Sequence, residues 1–118
     1  MSLKNVNRNA LIVFPDKPFI DWVNYIFPDD PVLNIDPLEH DEGNVYLLPI
    51  KESVNQSMNY LRRYFREIFE NELRDWCTDE TQWPQNITWK LFTEWFHYSI
   101  QSVVMDIDNE PLEREYLY

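Results

Sequence analysis

Glycine, cysteine and basic residues are scarce in this chain, and each shortage removes a class of function. With one glycine, Gly43, the chain cannot build a phosphate-cradling loop. Such loops use several glycines so that backbone amides approach the ligand closely, and neither G-x-G-x-x-G nor the P-loop pattern can be written here. The single cysteine, Cys77, excludes an intramolecular disulfide framework and any zinc site made of several thiolates, and it fits a reducing compartment. Histidine is limited to His40 and His97, so two positions offer a side chain that titrates near neutrality unaided. No stretch approaches the roughly 18–20 apolar residues of a membrane helix. The beginning, MSLKNVNRNALIVF, lacks a basic region followed by a long apolar run and a small-residue cleavage site. A cytoplasmic protein, neither exported nor anchored, is expected.

Ten basic residues stand against 21 acidic ones, for a net charge of −11. Long-range repulsion opposes approach to nucleic-acid phosphates or to an anionic membrane, so neither is expected as a partner. The acids are uneven. Asp29, Asp30, Asp36, Glu39, Asp41 and Glu42 form one group without an intervening Lys or Arg, and Asp106, Asp108, Glu110, Glu113 and Glu115 form another. Arg62, Arg63, Arg66 and Arg74 lie close together.

What is plentiful is apolar and aromatic surface, at 44% and 16% of 118 residues. That is enough to offset chain entropy in one domain that folds alone. The run NALIVFP (9–15) reads as a strand covered on both faces. After Asp16, Phe19, Trp22, Val23 and Ile26 recur at helical spacing before Pro28. Residues 29–43, with two prolines beyond Pro28 and six acids, read as an acidic surface loop, and NVYLLPI (44–50) as a second strand. Ser53 and Gln56 form an S-x-x-Q cap for a helix over 54–76, in which Val54, Met58, Leu61, Phe65, Ile68, Phe69, Leu73 and Trp76 step by three or four. Thr88 caps a short, heavily covered helix holding Trp89, Leu91, Phe92, Trp95, Phe96 and Tyr98. SIQSVVMDI (99–107) reads as a third strand, followed by an acidic tail over 108–118.

The expected fold is therefore α+β: one domain over 1–118 with its core at about 9–108. Its order is β-α-β-α-α-β, and a three-stranded sheet carries helices mainly on one face. The first strand-helix-strand unit leaves room for a parallel pair.

Four of the five tryptophans, Trp76, Trp83, Trp89 and Trp95, fall within 76–96. Their helical spacing assigns Trp76, Trp89 and Trp95 to the core. Trp83, beside Pro84 in a connecting segment, is the ring expected at the surface. Base stacking is a poor alternative, because Lys90 is the one cation between Arg74 and Arg114. The arginines of the long helix read as a solvated face, with Arg63–Glu67, Arg66–Glu70 and Glu70–Arg74 at i,i+4.

Candidate chemistry is thin. His97, in WFHYS, is expected to be packed and hydrogen-bonded, and His40 exposed in the acidic loop. A Cys77–His97 nucleophile pair is conceivable, although Cys77 follows a buried stripe where thiols tend to be inert. Asp36, Glu39, His40, Asp41 and Glu42 offer donors for a divalent ion but match no EF-hand or H-E-x-x-H spacing. Asp106 and Asp108 would share one side of the third strand as a carboxylate pair, or mark its solvent end.

Together PFIDW (18–22), VYLLP (45–49), WCTDETQWP (76–84), LFTEWF (91–96) and VVMDIDNEPL (103–112) resemble a group of small uncharacterised bacterial proteins. The resemblance implies a cytoplasmic bacterial origin and a stand-alone domain, and it assigns no functional residue. On these grounds the chain is expected to be a non-catalytic interaction module that binds another protein or itself and uses no cofactor. Its partner surface would draw on Trp83, Asp79, Glu80, His97, Asp36, Asp41 and Glu42. The competing reading is a small enzyme or metal-dependent binder using Asp36–Glu42, or Asp106 with His97.

Overall fold

The computed structural model describes residues 2–32 and 43–117. Its elements run β1 (Lys4–Asn5), β2 (Asn9–Pro15), α1 (Lys17–Ile26), β3 (Asn44–Leu48), α2 (Val54–Arg74), a 3-10 turn (Glu80–Gln82), α3 (Trp89–Trp95), β4 (Phe96–Gln101) and β5 (Met105–Asp106). Three polar residues start the helices as their types dictate. Asp16 Oδ1 accepts from the Lys17 amide at 2.8 Å, Ser53 Oγ from Gln56 at 3.2 Å and Thr88 Oγ1 from Leu91 at 3.1 Å. Each satisfies an amide that a helix start leaves without an intrahelical partner. The Gln56 side chain reaches back past the cap residue and accepts from the Glu52 amide at 3.0 Å.

The fold is α+β, with a three-stranded antiparallel sheet in the order β3-β2-β4 and a two-residue ribbon of β1 and β5. The expected parallel pair is not formed: β2 and β3 run antiparallel, with Val13 opposite Asn44 and Asn9 opposite Leu48. The chain returns to the end of β2 that it left. Gly43, just before β3, lies so close to the Phe14 ring that a Cβ there would clash with its ring carbons. The second edge strand starts at the same end, because the Asp16 amide donates to the Trp95 carbonyl at 2.8 Å and Pro15 pairs with Phe96.

The third strand is also displaced from its expected position. Phe96 and Tyr98 lie in β4, not in the preceding helix, and residues 105–106 belong to the separate ribbon. Phe92 and Phe96 satisfy a helical spacing, whereas Phe96, Tyr98 and Ile100 satisfy a strand's alternation. Pairing with β2 decides in favour of the strand.

Cross-strand pairing places Leu11, Val13, Tyr46, Leu48, Phe96, Tyr98 and Ile100 on one side of the sheet. The helices cover that side, and all seven belong to or pack against the core with Phe19, Val23, Leu61, Phe69, Leu73 and Phe92. Phe69 sits at the centre, with ring centroids of Trp95 at 5.5 Å and Phe96 at 5.0 Å. The aromatic-rich stretch is thus chiefly structural: Trp89 and Trp95 are half-buried against this cluster.

Two tryptophans reverse their expected roles. Trp76 is 39% exposed, because α2 ends at Arg74 and the chain turns as the Trp76 and Cys77 amides both bond the Leu73 carbonyl. Position 76 therefore leaves the stripe that the spacing assigned to it. Trp83 is 7% exposed, its indole N–H donating to the Cys77 carbonyl at 2.8 Å while the Arg74 guanidinium covers the ring at 5.2 Å.

Candidate functional site

The residues singled out in the sequence do not converge on one centre. Asp79 caps the 3-10 turn and accepts from the Thr81 hydroxyl at 2.6 Å and its amide at 3.0 Å. The hydroxyl bond first, and the amide bond with it, hold the Asp79 carboxyl below the usual carboxylate range. Glu80 faces Arg74 at 3.9 Å. His97 is not packed: its side chain is 58% exposed and its Nε2 lies 3.1 Å from Asp16 Oδ2. It stands in β4, while Cys77 follows α2 with Sγ 3.7 Å from the Asp79 carbonyl.

Asp106 lies in the β1–β5 ribbon opposite Lys4, and its Oδ1 accepts from the Asp108 amide at 2.8 Å. Asp108 lies beyond β5 and accepts in turn from the Glu110 amide at 3.2 Å. These two acids shape a turn; they do not share a strand face. Asp36, Glu39, His40, Asp41 and Glu42 lie outside the described residues. Among the described residues, no group of three or more His, Cys, Asp or Glu is placed to hold a metal ion.

The arginine face is solvated as expected, with Arg62, Arg63 and Arg66 exposed, but it also makes contacts that the spacing did not show. Arg62 lies over the Trp89 ring at 5.0 Å, and Arg66 donates to the Ile87 carbonyl at 2.9 Å. With Arg74 on Trp83, they fasten the connection between α2 and α3 to the helix. An arginine's planar, weakly hydrated head suits such ring and carbonyl contacts better than a lysine's would.

Two arrangements were not foreseen. The first is a polar cluster where β3 meets the end of α2. Glu72 is buried and accepts from the Asn44 side-chain amide and the Tyr46 hydroxyl. Tyr46 accepts from Asn71 at 2.9 Å, and Asp75 lies 3.4 Å from Asn44. Burial, reinforced by the Asp75 charge and opposed by the two hydrogen bonds, pushes the Glu72 carboxyl up to about 7. Burial chiefly, with the Glu72 charge next, also raises the Tyr46 hydroxyl. The signal in the sequence is that position 72 falls on the apolar stripe of Ile68, Phe69 and Leu73, where a glutamate is out of place.

The second is the side of the sheet turned away from the helices. Pairing puts Ala10, Ile12 and Phe14 there from β2, Val45 and Leu47 from β3, and His97, Ser99 and Gln101 from β4. Val45 is 60% and Leu47 54% exposed. A sheet with one solvated side normally alternates apolar inward and polar outward. In NVYLL the outward positions are apolar too, so the alternation that would have marked the open side is missing.

No helix among the described residues is long and apolar enough to cross a membrane. Compared with protein-family models, curated proteins and solved structures, the chain matches none.

Proposed function

We propose that the chain is a non-catalytic protein-interaction module that docks its partner on the outer side of the sheet, around Val45 and Leu47. The observation that carries this reading is the exposure of two large aliphatic side chains, side by side on an edge strand and beside Ile12 of the central strand. Adjacent exposed apolar side chains gain by burial, whereas scattered ones do not require a partner. With a net charge of −11, the partner surface it fits is apolar with a basic rim, since charge complementarity speeds encounter and selects among partners. The acids Asp36, Asp41 and Glu42 would add to that charge complementarity. Of the two forms of the competing enzymatic or metal-binding reading, the one that joins Asp106 with His97 finds them in separate sheets, and the one that uses Asp36–Glu42 rests on residues outside those described.

The test is affinity capture from native cells with two baits, the natural chain and the double substitution Val45→Thr with Leu47→Thr. Threonine keeps the branched shape that strands accept and removes apolar surface. Both baits should melt at the same temperature. A partner held by the natural chain and released by the double variant supports the docking face, and one held equally by both overturns it.

A further inference from the structure

Outside the docking face, the first turns of α2 carry a second feature that the interaction reading does not use. An open groove of about 380 Å³ is lined by Lys51, Gln56, Asn59, Tyr60 and Arg63. Positions 56, 59, 60 and 63 stand at i, i+3, i+4 and i+7 and so form a single helix face. Lys51 reaches over from the segment before the helix, its Nζ 5.5 Å from the Tyr60 ring centre. Arg63 lies 5.5 Å over the Tyr64 ring, and the two tyrosine rings are 4.6 Å apart at 42°.

Among the described residues no carboxylate lines this groove, although acids outnumber bases 21 to 10 in the chain. Lys51 and Arg63 rest on aromatic faces and form no ion pair among the described residues. A cation over a ring keeps its charge and N–H groups available to a further partner. Gln56 uses its oxygen on the Glu52 amide, leaving its NH₂. Two cations, amide donors and a phenol therefore border one concavity, beside a tilted pair of tyrosine rings that offers an apolar wall.

We propose that this groove binds a phosphate monoester carried on a planar ring. Such a group bears a charge of about −1.5 to −2 near neutrality, with three acceptor oxygens. Those oxygens match one guanidinium, one ammonium and the neighbouring donors, while the ring stacks on Tyr60. The groove is at the small end of the range for organic ligands, about 300–1,000 Å³, which fits one ring and one phosphate. The net negative charge of the molecule leaves the site dependent on its two local cations.

The experiment is an amide and arginine side-chain NMR titration of the full chain with phenyl phosphate, inorganic phosphate and phenol as separate probes. Lys51→Met and Arg63→Met keep the aliphatic stems and remove the charges, and their melting temperatures show whether each variant folds. Phenyl phosphate should give saturable shifts confined to residues 51–64 and bind more tightly than either inorganic phosphate or phenol. Each substitution should weaken it by about tenfold or more, the scale of one charge-assisted contact. Absence of saturable shifts, or equal binding by the natural chain and a folded double variant, overturns the proposal. Equal binding of inorganic phosphate and phenyl phosphate overturns the role assigned to the ring.

Discussion

Glu72 is held at the junction of β3 and α2 by Asn44 and Tyr46, and its carboxyl is raised by burial from 4.5 to about 7. Between those two values the folded state keeps a proton that the unfolded state has lost, so stability falls as pH rises through that window. Ionising this group in the folded state costs on the order of 3 kcal/mol. Glu72→Gln keeps an acceptor for Asn44 and Tyr46 and cannot ionise. The difference in unfolding free energy between variant and natural chain, from denaturant melts at pH 5 and pH 8, should shift in the variant's favour at pH 8; an unchanged difference would show that Glu72 is not the titrating group. The two surprising tryptophans belong to the same scale. Trp83→Ala should cost about 3–5 kcal/mol and Trp76→Ala less than about 1 kcal/mol, the reverse of the order that helical spacing suggests. Neither was legible in the sequence, because each depends on where the chain turns: Trp76 on the end of α2, Trp83 on a carbonyl six residues before it.

At the scale of elements, α2 and β2 were plain in the sequence. A stripe with a period near 3.6 over five turns, and five apolar residues closed by Pro15, have few competing readings. The region from Thr88 to Asp106 was harder. Phe92, Phe96 and Tyr98 fit two periods at once, and the deciding contacts are with β2, more than 80 residues earlier. Because α3 has seven residues, little intrahelical bonding supports it, and its start depends on Thr88. Thr88→Ala should lower stability by about 1 kcal/mol, measured by the same melts. Gly43→Ala tests the antiparallel return of β3. Its added methyl meets the Phe14 ring, and the resulting overpacking should cost about 1–3 kcal/mol. A neutral result would mean that Phe14 rotates aside freely.

For the whole molecule, the α+β class and the burial of most of the aromatic cluster could be read from composition and period. The open side of the sheet could not, since Val45 and Leu47 look in sequence like any covered strand and their exposure follows from where the helices pack. Charge adds an expectation of its own. With −11 on 118 residues, the chain should show no measurable binding to duplex or single-stranded nucleic acid at physiological salt. Association with a basic partner should slow as salt rises, because steering is screened beyond about 8–10 Å. A salt series of binding kinetics checks both. The most direct measurement of the docking face is amide hydrogen exchange of the chain alone and with its captured partner. Slowed exchange in residues 44–48 and along the neighbouring β2, with 89–95 unchanged, is the expected result. Slowing confined to α2 and α3, with β3 unchanged, would contradict the assignment of the sheet as the surface that meets the partner.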